Sequence, residues 1–156
     1  MQTPFKHTTL RTRFFLMISF LMLALSGTTS AFTQEMKKDD SLYQDLGQRE
    51  GIAKIVADFV PMLLDDVRIK QFFTKVKKEE FSEHLTNQFC ELAGGPCRYT
   101  GKDMYEAHEG MKIGNAQFNA VAEDLQMAME KNNVASSVAN RLVAKLAPMQ
   151  RPIVSK

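Results

Sequence analysis

The stretch that decides the fold is LAGGPCRYTGKDMYEAH, residues 92–108. Its GGP triplet at 94–96 predicts the end of a preceding helix, because glycine favours the position after a helix and proline cannot continue one. Residues 97–103 read as a loop, and Asp103 is placed to cap a short helix that carries His108. The stretch therefore predicts two helices joined by a loop, with a histidine on the second helix.

The chain on either side of this stretch is also patterned for helices. Apolar residues recur at three- and four-residue spacing, and no segment alternates with a period of two. We expect Ser41 and Asn115 to be N-caps, and Pro61 to kink or loosen its helix. The fold class is predicted to be all-α. Helices are predicted over residues 41–47, 49–66 and 77–93, between Asp103 and Gly110, over 115–131, and from Ser136 or Ser137 to Pro148.

The first 31 residues have the layout of a secretory signal peptide. Three basic residues and no acidic residue precede an apolar run of twelve residues, Phe14 to Leu25. The small residues Thr29-Ser30-Ala31 follow as a cleavage site. The apolar run is shorter than the about 20 residues that a membrane span needs. We therefore expect a secreted protein, in the bacterial periplasm, with membrane contact only through this segment if it stays uncleaved.

Removal of the signal peptide changes the charge balance of the chain. It takes away three basic residues and leaves 17 basic and 18 acidic ones, a net charge of −1. The basic residues are scattered among acidic ones, so no nucleic-acid partner is expected. Residues 32–40 are predicted to be a flexible leader and residues 41–156 one globular domain, which we expect to be a monomer.

Two histidines of the predicted domain, His84 and His108, lie on separate helices. His84 borders the apolar stripe of its helix, next to Phe81 and Leu85, because positions three and four apart share a helix face. If the two helices face each other, the imidazoles could flank one flat ligand, and neutral imidazole is a common ligand of haem iron. The spacing alone also fits two structural histidines.

Several segments in fixed order resemble the group I truncated haemoglobins, from Ser41 to about Val154. The resemblance implies a two-on-two globin helical sandwich that holds one haem b per chain. It implies that His108 is the proximal iron ligand and that Phe73 packs against the haem face. The matching segments are SLYQDLG at 41–47, DF at 58–59, FF at 72–73, LAGGP at 92–96, RYTGKDM at 98–104, His108, GMKI at 110–113, Phe118, LAP at 146–148 and RPIV at 151–154.

The resemblance also predicts the walls of the haem pocket, which should be mainly apolar. The family's usual hydrogen-bond donors are missing on the distal side, where Val60 replaces a tyrosine, Leu85 replaces a glutamine, and Phe81 replaces a histidine or glutamine. A donor to a charged group is worth roughly 1.5–3 kcal/mol, so oxygen should leave faster than from a pocket with a donor. The predicted wall residues are Phe73, Phe81, Leu85, Phe89, Tyr99, Met104, Met111, Ile113, Phe118 and Val121.

His84 has two predicted roles that the sequence leaves open. It occupies the position at which some cyanobacterial relatives have a histidine that binds the iron directly. It could therefore be a distal iron ligand in a six-coordinate resting haem. Its imidazole could equally pair with a haem propionate at the rim of the pocket.

Cys90 and Cys97 flank the GGP turn, which can bring them together. In an oxidising compartment they are expected to pair as a disulfide. A redox-responsive pair and two buried free thiols are the alternatives.

The predicted function is reversible binding of oxygen, nitric oxide or carbon monoxide by a haem globin. Oxygen binding and transport belong to this class, although the donor-poor pocket disfavours pure storage. Nitric oxide dioxygenase or weak peroxidase chemistry would need an external reductant, and no catalytic side chain is assigned. The alternative is a bis-histidine electron-transfer or redox-sensing module that uses the Cys90/Cys97 pair, with a reductase or electron-transfer protein as its partner.

Overall fold

The computed structural model describes residues 39–154, so the predicted signal peptide lies outside the described residues. Every regular element in this range is helical, which confirms the all-α prediction. The elements are α1 (Ser41–Asp45), α2 (Gln48–Asp65), a 3-10 turn (Lys70–Phe73), α3 (Lys78–Leu92), α4 (Met104–His108), α5 (Asn115–Lys131), α6 (Ser136–Leu146), a second 3-10 turn (Ala147–Met149) and α7 (Gln150–Ile153).

Two of the predicted helix caps are wrong by one residue. Asp40 is the N-cap of α1 and Gly114 that of α5, so Ser41 and Asn115 are the first helical residues. The polar side chains at these sites mark the helix start but do not fix the boundary residue. Pro61 does not interrupt α2, because packing on both sides keeps the segment helical despite the lost backbone donor.

Helix α2 lies at the centre of the core and packs against α3 and α5. One of its faces is buried, and each fully buried aliphatic or aromatic side chain contributes about 1.5–3 kcal/mol. Phe59 of α2 meets Phe89 of α3 with ring centroids 6.2 Å apart. This contact fixes α3 on the core. The buried face of α2 consists of Ile52, Ile55, Val56, Phe59, Val60 and Leu63.

The GGP turn ends α3 as predicted, and its two glycines are needed for different reasons. Gly94 has a φ of +91°, a left-handed conformation that favours glycine. A Cβ at Gly95 would lie 2.6 Å from the ring of Tyr43, so only glycine allows this approach. The Tyr43 N–H donates to the Ala93 carbonyl at 3.1 Å. The end of α3 is therefore docked on α1.

Cys90 and Cys97 form a disulfide across this turn, with Cα atoms 5.7 Å apart. Cys90 is fully buried, whereas Cys97 is partly exposed. An Arg49 guanidinium nitrogen lies 3.4 Å from the Cys97 sulfur and 2.7 Å from the Asn87 side-chain oxygen. The start of the loop is thus held to α3 covalently and to α2 through Arg49.

Within residues 39–154, no helix combines the length and the apolar character that crossing a bilayer requires.

Candidate functional site

The short helix α4 positions His108. Its N-cap is Asp103, whose carboxylate accepts the Glu106 N–H at 2.8 Å, as the sequence predicts. The Nδ1 atom of His108 lies 2.8 Å from the Met104 carbonyl oxygen. A carbonyl can only accept, so this contact favours the tautomer with the proton on Nδ1, in which Nε2 has the lone pair that can bind a metal. Histidines that bind metals are commonly oriented by such a second-nitrogen contact.

An apolar wall formed by Phe73, Phe81 and Leu85 lies on α3 and the preceding 3-10 turn. The rings of Phe73 and Phe81 meet with centroids 5.6 Å apart at 43°. Both rings, together with Leu85, pack against the core but are only partly buried. These side chains therefore offer an apolar surface of the kind that a flat hydrophobic group can cover.

His108 and the apolar wall belong to different parts of the fold. Helix α3 packs mainly against α2, whereas α4 packs mainly against α7. One polar contact joins them, since the Gln88 side-chain nitrogen lies 3.7 Å from the Met104 sulfur. Gln88 is 8% exposed and was not predicted as a site residue. Its spacing, three after Leu85 and four after His84, is the sequence signal that could have placed it on this face.

His84 lies at the rim of this region. Its ring meets Tyr99 edge-on with centroids 6.1 Å apart, and its Nε2 is 3.9 Å from a Glu80 carboxylate oxygen. The His84 side chain is 39% exposed. Tyr99 is anchored in turn, because its hydroxyl donates to the Lys102 carbonyl at 2.7 Å and its N–H to the Glu91 carboxylate at 3.1 Å.

Burial and the charge of Asp103 raise the pKa of the Tyr99 hydroxyl, which therefore stays protonated at neutral pH. Tyr99, the loop residue that contacts His84, is thus a neutral side chain held in place by the Lys102 carbonyl and the Glu91 carboxylate.

The other predicted site residues are spread over three environments. Val60 and Phe89 are buried in the core beneath the apolar wall, with Val60 fully buried. Ile113 is buried as well, whereas Phe118 and Val121 of α5 are partly buried. Met111 is 37% exposed. Their contact with a cofactor stays a prediction.

The arrangement fits a flat apolar group that carries its own metal. The His108 imidazole would supply one metal ligand through Nε2, and the rings of Phe73 and Phe81 would supply a surface for a macrocycle. The contact between His108 Nδ1 and the Met104 carbonyl is the observation of this structure that favours metal binding through Nε2.

Comparison with known proteins agrees with this chemistry. Residues 41–155 match the model of the family described as bacterial-like globin. A group 1 truncated haemoglobin of Tetrahymena pyriformis is 30% identical over 121 residues, which are 78% of this chain and 100% of that protein. One from Synechocystis is 31% identical over 108 residues, 67% of this chain and 87% of that protein.

The crystal structure of the Tetrahymena pyriformis truncated haemoglobin in the Fe(III) form superposes with a TM-score of 0.71 at 30% identity, covering 74% of this chain and 98% of that one. The predicted two-on-two helical sandwich is thereby confirmed. This chain belongs to the bacterial-like globin family, with group 1 truncated haemoglobins among its relatives.

Proposed function

We propose that this globin binds one haem b per chain through His108 and that it binds oxygen, nitric oxide or carbon monoxide reversibly. The contact between His108 Nδ1 and the Met104 carbonyl, at 2.8 Å, carries the proposal. Bound haem would supply an iron with a position open to a diatomic ligand. Family membership supports the cofactor.

The residues of the chain have separate tasks in this proposal. His108 presents Nε2 in a fixed orientation, since rotation of the ring would break its contact with Met104. Phe73 and Phe81 cover one side of the site and exclude water from it. Val60, Phe81 and Leu85 place no donor on the distal side, which favours carbon monoxide over oxygen.

Stopped-flow measurement of ligand release from purified mature protein tests this function. We expect a carbon monoxide complex that is stable and an oxygen complex that exchanges reversibly. Val67→Leu is the control variant, because Val67 is 76% exposed and lies outside the site. A protein that takes up haem but binds none of the three gases would refute the proposal.

In this proposal His84 lies at the rim of the pocket and pairs with a haem propionate. Iron ligation by His84 is the alternative. Its partial exposure and its 3.9 Å approach to Glu80 support a place at the edge of the pocket, where a haem propionate would lie. We expect wild type and His84→Ala to have the same ferric spin state. A low-spin wild-type spectrum that becomes high-spin in His84→Ala would establish ligation instead.

The disulfide favours a second candidate function, an electron-transfer or redox-sensing module. Cys90 lies in α3 and Cys97 in the loop that leads to Tyr99, so opening the bond would free one end of the loop that contacts His84. Slow ligand association and a haem potential that changes when the cysteines are reduced would support it. Equal potentials for the oxidised and reduced cysteine pair would exclude it.

Enzymatic turnover is a separate step of the proposal. Nitric oxide dioxygenation or peroxidase chemistry requires an external reductant, which we assign to a reductase or electron-transfer partner. Measurement of nitrate formation with and without a chemical reductant tests this requirement.

Export is the remaining part of the proposal. The layout of residues 1–31 supports cleavage near Ala31 and a periplasmic location. Intact-mass analysis of the protein from a periplasmic extract should show a chain that begins near Phe32, whereas a full-length cytoplasmic chain would contradict it.

A further inference from the structure

The two cysteines of the Cys90–Cys97 disulfide lie in different surroundings. Cys90 belongs to α3 and is 0% exposed, and a Cβ added to Gly95 would lie 2.7 Å from its sulfur, so the turn covers this atom. Cys97 is partly exposed and belongs to the loop that follows the turn. A thiol that approaches from solvent therefore meets Cys97 and not Cys90.

A fixed cation accompanies the Cys97 sulfur. The Nη1 atom of Arg49 lies 3.4 Å from this sulfur and donates to the Asn87 side-chain oxygen at 2.7 Å. Its Nη2 atom donates to a Glu83 carboxylate oxygen at 2.5 Å. Both of these acceptors belong to α3, so Arg49 is held by contacts that do not depend on the disulfide. A guanidinium keeps its charge in proteins and would stabilise a thiolate on Cys97.

We propose that Cys97 is a thiol–disulfide exchange site, at which a protein dithiol opens the Cys90–Cys97 bond and Arg49 stabilises the thiolate that is released. Cysteines that react in this way are partly exposed and lie beside a cation, whereas buried structural cysteines are inert. The inference deepens the second candidate function and rests on it for the effect on the haem. The exchange itself needs no cofactor.

The exchange consists of two displacements. A thiolate of the partner attacks the Cys97 sulfur, a mixed disulfide forms, and the Cys90–Cys97 bond breaks. Cys90 leaves as a thiolate and takes up the proton that the partner's second thiol releases. The second thiolate then attacks the partner's own sulfur in the mixed disulfide, so Cys97 leaves as a thiolate beside Arg49. The two cysteines gain two electrons from the dithiol, which becomes a disulfide.

Contacts that do not involve sulfur keep the two cysteines close when the bond is open. The Gly95 N–H donates to the Cys90 carbonyl at 2.8 Å, and the Tyr99 N–H donates to the Glu91 carboxylate at 3.1 Å. These two contacts lie on either side of Cys97 in the chain. Reduction therefore removes the covalent tie of the loop to α3 but leaves Cys97 placed to close the bond again.

Reaction with glutathione tests which sulfur is attacked and requires no variant. Oxidised wild-type protein, purified and loaded with haem, is incubated with excess glutathione, quenched with acid and digested. We expect peptide mapping to find glutathione on Cys97 and a free thiol on Cys90. Glutathione on Cys90, or no mixed disulfide in the folded protein, overturns the inference.

Alkylation of Cys90→Ser by iodoacetamide tests the role of Arg49, because Cys97 is then the only cysteine of the chain. The rate should reach half its maximum below about pH 8, whereas an ordinary thiol does so near about pH 8.5. Addition of Arg49→Met should move this midpoint up by about one pH unit, which means roughly tenfold less thiolate at pH 7. Arg49→Lys should restore most of the shift.

Arg141→Met is the matched control, because Arg141 is an exposed arginine that pairs with Asp45 instead. It should leave the midpoint of Cys90→Ser unchanged. A midpoint at about pH 8.5 or above in Cys90→Ser, or the same midpoint with and without Arg49→Met, overturns the role of the cation.

Four other charged or titratable side chains belong to this region. Glu83 binds Arg49, Glu91 binds the Tyr99 N–H, and Arg98 follows Cys97 in the chain. Carboxylates and guanidinium groups ordinarily keep their charge between about pH 6 and 10. His84, which meets the Tyr99 ring, is the group of a type that titrates near neutral pH. A midpoint that moves with His84→Ala and not with Arg49→Met therefore overturns the inference.

The exchange and the haem function fail separately. The absence of a Soret band after haem addition refutes the proposed haem function and leaves the glutathione and alkylation results to stand for the exchange site. An intact Soret band with no adduct on Cys97 overturns the exchange site and leaves the haem function standing. A haem potential that differs between the oxidised and reduced cysteine pair, in a protein whose Cys97 exchanges, supports both.

Discussion

Replacement of Asp124 by asparagine should stabilise this globin at neutral pH. Asp124 lies on α5 and is 2% exposed. Its Oδ2 atom has no hydrogen-bond partner, and its Oδ1 is 3.9 Å from an Arg68 nitrogen. Arg68 has closer partners in Asp66 at 2.7 Å and Glu123 at 2.5 Å. Asp124 is therefore a buried carboxyl with only a distant share of one cation.

The magnitude follows from the two opposing effects. A buried acceptor without a partner costs roughly 1–3 kcal/mol and more when it is charged, so asparagine, which keeps the shape and removes the charge, recovers part of this cost. The Arg68 side chain is 47% exposed, and ion pairs of this kind contribute about 0.2–1 kcal/mol. The cost exceeds the gain, so we expect Asp124→Asn to raise the free energy of unfolding by about 1–2 kcal/mol at pH 7.

The pH dependence has a definite sign. Burial raises the pKa of the Asp124 carboxyl above its ordinary value of 3.8, and the charge of Asp66 adds to this effect. A raised folded-state pKa means that the contribution to stability is complete below 3.8 and is lost as the pH rises through the folded value. The advantage of Asp124→Asn should therefore shrink as the pH falls from 7 towards 4.

Urea denaturation at several pH values measures this effect. Glu123→Gln is the matched control, because Glu123 is a neighbouring carboxylate on the same helix that is 56% exposed and already paired with Arg68. The control should gain no stability at pH 7. An Asp124→Asn protein that is less stable than wild type at pH 7, or that keeps its full advantage at pH 4, would refute the reasoning.

Three further predictions concern the loop, α4 and the α2–α5 contact. Cys90 and Cys97 are seven positions apart in the sequence. Reduction of their disulfide should therefore lower the free energy of unfolding by about 2.4 kcal/mol, from the loop-entropy relation. Equal urea midpoints with and without reductant would contradict it. Asp103→Ala removes the cap of α4 and should cost about 1 kcal/mol and weaken haem binding; an unchanged haem off-rate would argue against this. Hydrogen bonds from Lys131 and Asn132 lower the pKa of Asp58, so its contribution is present above 3.8 and is lost as the pH falls through the folded value. Asp58→Ala should flatten the acid side of the stability profile, and an identical acid limb would count against the role of these bonds.

The local features of the decisive stretch were predictable from the sequence. The glycine pair ends α3 because one glycine takes a left-handed conformation, and Asp103 caps α4 with its carboxylate, as its position suggests. Such features depend on residues within one turn of each other. The family resemblance then added the two-on-two arrangement, which periodicity alone does not specify.

The polar contacts of the site were not predictable, because they join residues that are distant in the chain or depend on side-chain direction. The contact between Gln88 and Met104 appears only when α3 faces α4. The face of His84 was predictable from helical spacing, but its turn towards Glu80 and Tyr99 was not. The isolation of Asp124 likewise depends on where Arg68 finds its closer partners.

The absorption spectrum of His108→Gly with haem, before and after addition of free imidazole, tests the central claim most directly. We predict that wild type and His84→Gly bind one haem and shift their Soret band with carbon monoxide. His108→Gly should lose the spectrum of a haem with a proximal imidazole, and free imidazole should restore it by filling the space that the side chain leaves. A His108→Gly protein that binds haem with the wild-type spectrum in the absence of imidazole would contradict the assignment of His108 as the iron ligand.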